Sequence, residues 1–240
     1  SYDYTIIKYN SSGVQQWFQR YNGPGNSQDD AQDLKVDASG NIYVTGNSVG
    51  IGTNYDYATI KYNSLGIQQW VQRYNGPING TDVATSIAID NSGNVYVTGR
   101  SDGIGNVYDY ATIKYNSLGI QQWVQRYNGP GNGRDGSNSI KIDNKGNVIV
   151  AGKSEGIGTN FDFITIQYSL SGEQKWFRRY AGIGNQYDEV SSIGIDSIDN
   201  IYIAGISNQR YAIIKYDSAG TQQWVNFYGT ENNVSYATAI

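Results

Sequence analysis

The sequence predicts an all-β protein, a β-propeller of four-stranded antiparallel blades, and three observations carry that prediction. Tryptophan recurs at Trp17, Trp70, Trp123, Trp176 and Trp224, a period of 53 residues that shortens to 48 at the last step. Each unit holds four short runs rich in β-branched and aromatic residues, the composition that suits strands. Turn-forming residues separate the runs at regular places, and four antiparallel strands per unit of this length make one propeller blade. A helical solenoid is excluded because no window keeps a 3.6-residue apolar period. A parallel β-helix fits less well, since its coils are shorter and lack paired hairpin turns.

The second unit shows the elements in order: run A at 84–90, B at 94–99, C at 108–116 and D at 121–127. Asp90-Asn91-Ser92-Gly93 joins A to B, and Asn116-Ser117-Leu118-Gly119 joins C to D, with glycine where a short hairpin loop needs a left-handed residue. Asp37, Asp90, Asp143 and Asp196 are expected to accept turn amides through their side chains. In the fourth unit Ile198-Asp199 replaces the small residue and the glycine, so that turn is expected to differ.

The units run over about 2–54, 55–107, 108–160 and 161–209, with a partial fifth at 210–240, all in a single domain 1–240. Residues 55–77 and 108–130 are identical in sequence, as amplification or engineering would leave them. The chain starts in run C and stops in run A, which reads as a piece of a longer chain. A five-bladed ring is the simplest count, its last blade assembled from 234–240 and the hairpin 2–21. Six or seven blades are the alternatives, because that composite blade has no strand B.

Charged residues make up 16% of the chain, and the net charge of −4 argues against nucleic acid as a partner. No apolar run reaches the ~18 residues of a membrane-spanning helix, so no membrane insertion is expected. With no Cys and no His, the sequence excludes thiol nucleophiles, imidazole bases, disulfides and thiolate zinc sites.

An Asp ahead of run A, a D-x-x-G-N-x-Y-V-T-G hairpin and a Gly shortly before a Trp recur together through the chain. In the second unit these are Asp82, GNVYVTG, YDYATIKYN, LG and IQQW. The combination resembles the bacterial β-propeller repeat known as SBBP. The resemblance implies a blade fold in an extracellular or cell-surface protein, generally without an assigned activity.

Several residue sets are candidates for function. Asp29, Asp82, Asp135 and Asp188 each follow a Trp by twelve residues. They are expected to cap loop amides, the sharper alternative being a carboxylate ring for a hard cation such as Ca²⁺. No cofactor is otherwise expected. The Trp series is expected to pack between blades rather than to stack on a ligand. Asp3, Asp56, Asp109 and Asp162 open run C, while Arg20, Arg73, Arg126 and Arg179 lie near the end of run D, and each couple is expected to form an ion pair. In the fifth unit both members change together, to Arg210 and Phe227.

The B–C and D–A connections fall on one face, and Arg100, Asp102, Asn106, Lys153, Glu155, Asn160, Arg210 and Phe227 are the candidate ligand contacts there. The reading is a secreted or cell-surface interaction module for a protein or glycan partner. The alternative is a structural subunit that self-associates in an extracellular assembly. A carboxylate glycosidase ranks last, and no enzyme is expected, because the acids recur equivalently from unit to unit.

Overall fold

The computed structural model describes residues 2–105, 107–182, 184 and 186–229. A two-stranded hairpin, β1 (Tyr4–Tyr9) and β2 (Gln15–Tyr21), precedes four complete blades. Blade 1 comprises β3 (Asp29–Val36), β4 (Ile42–Val49), β5 (Tyr55–Tyr62) and β6 (Gln68–Tyr74). Blade 2 comprises β7 (Asp82–Ile89), β8 (Val95–Asp102), β9 (Tyr108–Tyr115) and β10 (Gln121–Tyr127). Blade 3 comprises β11 (Asp135–Ile142), β12 (Val148–Glu155), β13 (Phe161–Tyr168) and β14 (Gln174–Tyr180). Blade 4 comprises β15 (Asp188–Ile195), β16 (Ile201–Ser207), β17 (Arg210–Tyr216) and β18 (Gln222–Tyr228). Every pairing is antiparallel between consecutive strands. Five sheets therefore stand side by side, as a five-bladed propeller requires. Residues 230–240, assigned by sequence to the composite blade, lie outside the described residues.

The second strand of blades 1 to 3 runs to position 102 or its equivalent, three residues beyond the expected run, and that of blade 4 stops one residue sooner. Arg100, Asp102, Lys153 and Glu155 consequently sit on strand ends rather than in loops. The first strand of each complete blade carries a bulge, at Ala31/Asp33, Ala84/Ser86, Ser137/Ser139 and Val190/Ser192. The bulged residue is turned toward the next blade: Thr85 donates to the Ser137 carbonyl at 2.7 Å and Asn138 to the Val190 carbonyl at 2.7 Å.

The core lies between blades. Trp70 packs on Tyr115 and Trp123 on Tyr168, with ring centroids 6.3 and 6.1 Å apart. The Trp17, Trp70 and Trp123 indoles donate to the carbonyls of Ser64, Ser117 and Leu170 in the next blade's C–D turn. Lys8, Lys61 and Lys114 donate to those same three oxygens. Glycine closes each receiving turn for two reasons. Gly119 has φ +81°, and a β-carbon there would stand 2.9 Å from the Trp70 ring. Gln167 interrupts the lysine series, and at the last of these junctions Arg178 donates to the Gly220 carbonyl at 2.6 Å instead.

The V-T-G motif of the second strand has a similar cause. Tyr57 is fully buried and its hydroxyl crosses to the Ala111 carbonyl of the next blade at 3.2 Å. A β-carbon on Gly99 would lie 2.0 Å from the Val83 carbonyl and 2.8 Å from that hydroxyl. The A–B turns also follow the expected chemistry, Asp90 accepting from the Ser92 and Asn94 amides at 2.9 Å each. Asn94 Nδ2 and the Tyr96 hydroxyl donate to its other oxygen, which accounts for the N-x-Y of the motif.

One expectation is corrected. The Asp196–Asn200 turn keeps the geometry of its counterparts, because Asp199 takes φ +65° where they have glycine. Asp199 is held there by the neighbouring blade's turn, accepting from the Asn144 amide at 2.9 Å and facing the Lys145 ammonium at 3.6 Å.

Asp199→Ala keeps the left-handed strain and removes both contacts, so we expect a loss of about 1–2 kcal/mol in urea unfolding. Gly99→Ala has backbone on both sides and should lose more, about 3 kcal/mol or beyond, in the same measurement.

Candidate functional site

The four Asp–Arg couples form as expected. Closest approaches are 2.6 Å for Asp3–Arg20, 2.9 Å for Asp56–Arg73, 2.9 Å for Asp109–Arg126 and 2.6 Å for Asp162–Arg179. The register differs from direct opposition: Arg73 faces Ala58, and its guanidinium reaches back to the aspartate. Arg126 further donates to the Ser101 hydroxyl and carbonyl and to Tyr74 of the preceding blade. It thus ties three strands to a neighbour, a structural task.

Asp29, Asp82, Asp135 and Asp188 are buried as the opening residues of the first strands and accept from the amides of Gly23, Gly76, Gly129 and Gly182 at 2.6–2.8 Å. Each caps its own D–A loop. Among the described residues no three acidic side chains come together as a metal site requires. Burial raises the pKa of Asp135 to about 6 against the Gly129 and Ser154 hydrogen bonds, and moves Asp82 and Asp188 in the same direction.

Arg210 and Phe227, where the fifth unit departs from the pattern, contact one another. The Arg210 guanidinium lies over the Phe227 ring, 4.5 Å from its centroid. A cation–π pair stands where the other blades have an ion pair. The short B–C connection beside it is a two-residue turn, Asn208 and Gln209, both left-handed at φ +48° and +63°.

The long-loop face is where the units diverge in chemistry. Ahead of the first strand stand Gln28, Thr81, Arg134 and Tyr187; two residues later come Asp30, Val83, Gly136 and Glu189. On the second strand the corresponding residues are Asn47, Arg100, Lys153 and Ile206. Between blades 3 and 4 these side chains saturate one another. Lys153 donates to Glu189 at 2.8 Å and to the Tyr187 hydroxyl at 2.6 Å, with the Phe161 and Tyr187 rings beside it. Tyr187 in turn donates to Glu189, which also accepts from Asn138. Burial opposes both charges, yet the hydrogen bonds outweigh it, raising the Lys153 pKa and lowering that of Glu189.

Between blades 2 and 3 the same positions hold a different arrangement. Arg100 is exposed and stacks on Tyr108 at 5.0 Å. The residue matching Glu189 is Gly136, whose absent side chain would stand 3.6 Å from both Arg100 and Tyr108. Arg134 lies over Phe161 at 5.2 Å and pairs with Glu155 at 2.8 Å. Asp102 accepts from the Thr81 amide, and Asn160 from the Phe161 amide, so both shape loops. Asn106 lies outside the described residues. Tyr108, Phe161, Tyr187, Arg134 and Gly136 were not singled out from the sequence. Comparing the units column by column at strand ends is the signal that finds them.

Residues 16–52, 69–108 and 175–211 match the β-propeller repeat SBBP. The chain carries SBBP repeats. Each matched segment runs from the last strand of one sheet through the first two of the next, so the SBBP unit spans a junction between blades. Among curated proteins none matches the sequence. Solved structures share the fold at low identity. Virginiamycin B lyase from Staphylococcus aureus is 15% identical with TM-score 0.52, over 86% of this chain and 57% of the lyase. An ulvan lyase, a polysaccharide lyase bound to -[GlcA(1-4)Rha3S]-, is 11% identical with TM-score 0.52, over 92% and 59%. A Dyadobacter fermentans protein of unknown function is 10% identical with TM-score 0.54, over 84% and 70%. The chain spans less than three-fifths of either lyase. The expectation that this is no enzyme is overturned as an argument from the fold, since two lyases are built on the same one.

The raised Asp135 pKa has a definite sign in stability. Its contribution is fully present below the unfolded carboxylate range near 4 and is lost as pH rises through about 6. Asp135→Asn should therefore remove a decline of stability between about pH 4 and 6, seen as a flatter or rising profile in urea unfolding. Arg126→Ala, which strands a buried carboxylate, should cost about 3 kcal/mol. Arg20→Ala, at an exposed pair, should cost under about 1 kcal/mol in the same assay.

Proposed function

We propose that the long-loop face of blades 2 to 4 recognises a saccharide, with the space between Arg100, Tyr108 and Gly136 as its centre. One observation carries this reading: at equivalent positions Lys153 is neutralised by Glu189, whereas Arg100 meets a glycine. The Arg100 guanidinium is thereby left exposed on the Tyr108 ring, with no carboxylate in the matching column. An aromatic ring gives the C–H face of a sugar an apolar platform, and the guanidinium offers a planar fork of donors to hydroxyl or carboxylate oxygens. Arg134, exposed above the buried Phe161 ring, extends the row toward Tyr187 at the neighbouring blade. The scaffold beneath is stiff: Asp–Arg nodes fix the strand ends of blades 2 and 3, the Arg210–Phe227 stack stands in for them in blade 4, and a capping aspartate holds each D–A loop. Sequence resemblance to SBBP proteins supports a setting outside the cell or at its surface, where glycans are available.

A glycan-array screen followed by calorimetry on the best ligand tests the proposal. Arg100→Ala and Tyr108→Ala should each weaken binding about tenfold or more with unchanged melting temperature, and Gly136→Glu should mimic them by filling the space and neutralising Arg100. Equal affinity in all three variants would remove this face from the role. Incubating the bound saccharide and assaying for new chain ends distinguishes recognition from turnover.

A further inference from the structure

Positive side chains at the long-loop ends of the blades are mostly answered within the protein. Arg73, Arg126 and Arg179 hold aspartates, Arg134 holds Glu155, and Lys153 holds Glu189. Arg210 is half-buried on the Phe227 ring. Arg100 is exposed, lies over Tyr108, and among the described residues has no carboxylate partner. The acid that would answer it is absent from a definite column. There blade 4 supplies Glu189, which accepts from Lys153 at 2.8 Å and from Asn138 at 3.0 Å. Blade 1 supplies Asp30, which accepts from Gln28 Nε2 at 2.9 Å and from Asn47 Nδ2 at 3.3 Å. Blade 3 has Gly136, itself buried under the Arg100 stem and the Tyr108 ring, so an acid for the guanidinium arrives on its exposed side. The acids that end the second strands of blades 2 and 3 are committed elsewhere, Asp102 to the Thr81 amide and Glu155 to Arg134.

Resting on the saccharide reading above, we propose that the sugar recognised at Arg100 and Tyr108 is an acidic one. Its carboxylate or sulfate oxygens are held by the Arg100 guanidinium as the Glu189 carboxylate is held by Lys153. A guanidinium presents paired N–H donors that match two oxygens of one acid group, and hydrogen bonds between opposite charges are about twice as strong as neutral ones. A hydroxyl of a neutral sugar accepts one such donor without the opposite charge, so an arginine lacking an acid of its own discriminates between the two. Stacking on Tyr108 holds the guanidinium in place before the ligand arrives, and less side-chain freedom is lost on binding.

Calorimetry on the whole chain tests it, with oligogalacturonate and oligomannuronate each beside its methyl ester, and a sulfated galactan oligomer beside its desulfated form. The carboxylate pairs and the sulfate pair separate the two sources of negative charge. A charged oligomer should bind about tenfold or more tighter than its neutral counterpart, and the gap should shrink between about 50 mM and about 500 mM salt. Arg100→Gln should bring charged and neutral forms to the same affinity with unchanged melting temperature, whereas Arg100→Lys should keep part of the gap. Neutral oligomers that bind this face as well as the charged ones overturn the proposal while leaving saccharide recognition in place. Failure of every acidic oligomer to bind overturns it too, and the glycan-array screen then decides the broader reading alone. A charge preference that survives Arg100→Gln, or an oligoglutamate peptide bound as tightly as the acidic oligomers, overturns it equally.

Discussion

The architecture depends on a clamp between neighbouring sheets. At three of the four junctions between described sheets an indole N–H and an ammonium from one sheet converge on a single carbonyl oxygen in the next sheet's turn, and at all four the indole face covers the glycine that closes that turn. The oxygen has two lone pairs, so both donors are satisfied at once, and the hydrogen bonds are shielded by the ring that supplies one of them. The position of each sheet is thus fixed by its neighbour's C–D turn. The Tyr hydroxyl that crosses over the V-T-G glycine adds a second attachment nearer the axis, and the bulged Thr85 and Asn138 add a third on the innermost strand. Apolar burial supplies most of the attraction between blades, whereas these polar contacts set their angle.

With the blades so held, their long-loop ends are free to differ. The Asp–Arg node and the capping aspartate stabilise the backbone of each strand end without using the side chains on its outer surface. That separation explains why the columns occupied by Arg134, Gly136, Arg100 and their equivalents carry unrelated chemistry in successive units. It also explains why acids at equivalent places in every blade say little about activity. A catalytic or binding constellation on such a scaffold would be written in the columns that change.

Much of the fold was legible because strand periodicity and turn chemistry are local. The Asp90-type turns, the order of the strands and the Asp–Arg couples all follow from residues close in sequence or from covariation between units. The bulges were not legible, since Thr85 and Asn138 read as ordinary polar residues of an alternating strand. Their meaning comes from a carbonyl about fifty residues away. The Asp199 turn was misjudged for the same reason, its left-handed conformation being held by Asn144 and Lys145 from another blade. Arg210 and Phe227 were recognised as exceptional, but their departure is answered within blade 4 by one stacked pair. The Arg100–Tyr108 arrangement required knowing that Gly136 stands opposite, a juxtaposition across blades that no single run of sequence displays.

The near-constant offset between a Trp and the carbonyl it binds, 47 residues at three successive junctions, bears on how such a chain can change over generations. Excising or duplicating one whole unit leaves every remaining indole facing a turn of the right kind. Unequal crossing-over between the identical stretches 55–77 and 108–130 would produce that event, and the product would need no compensating substitution. Blade number is then a quantity that recombination can alter faster than point mutation can redesign an interface.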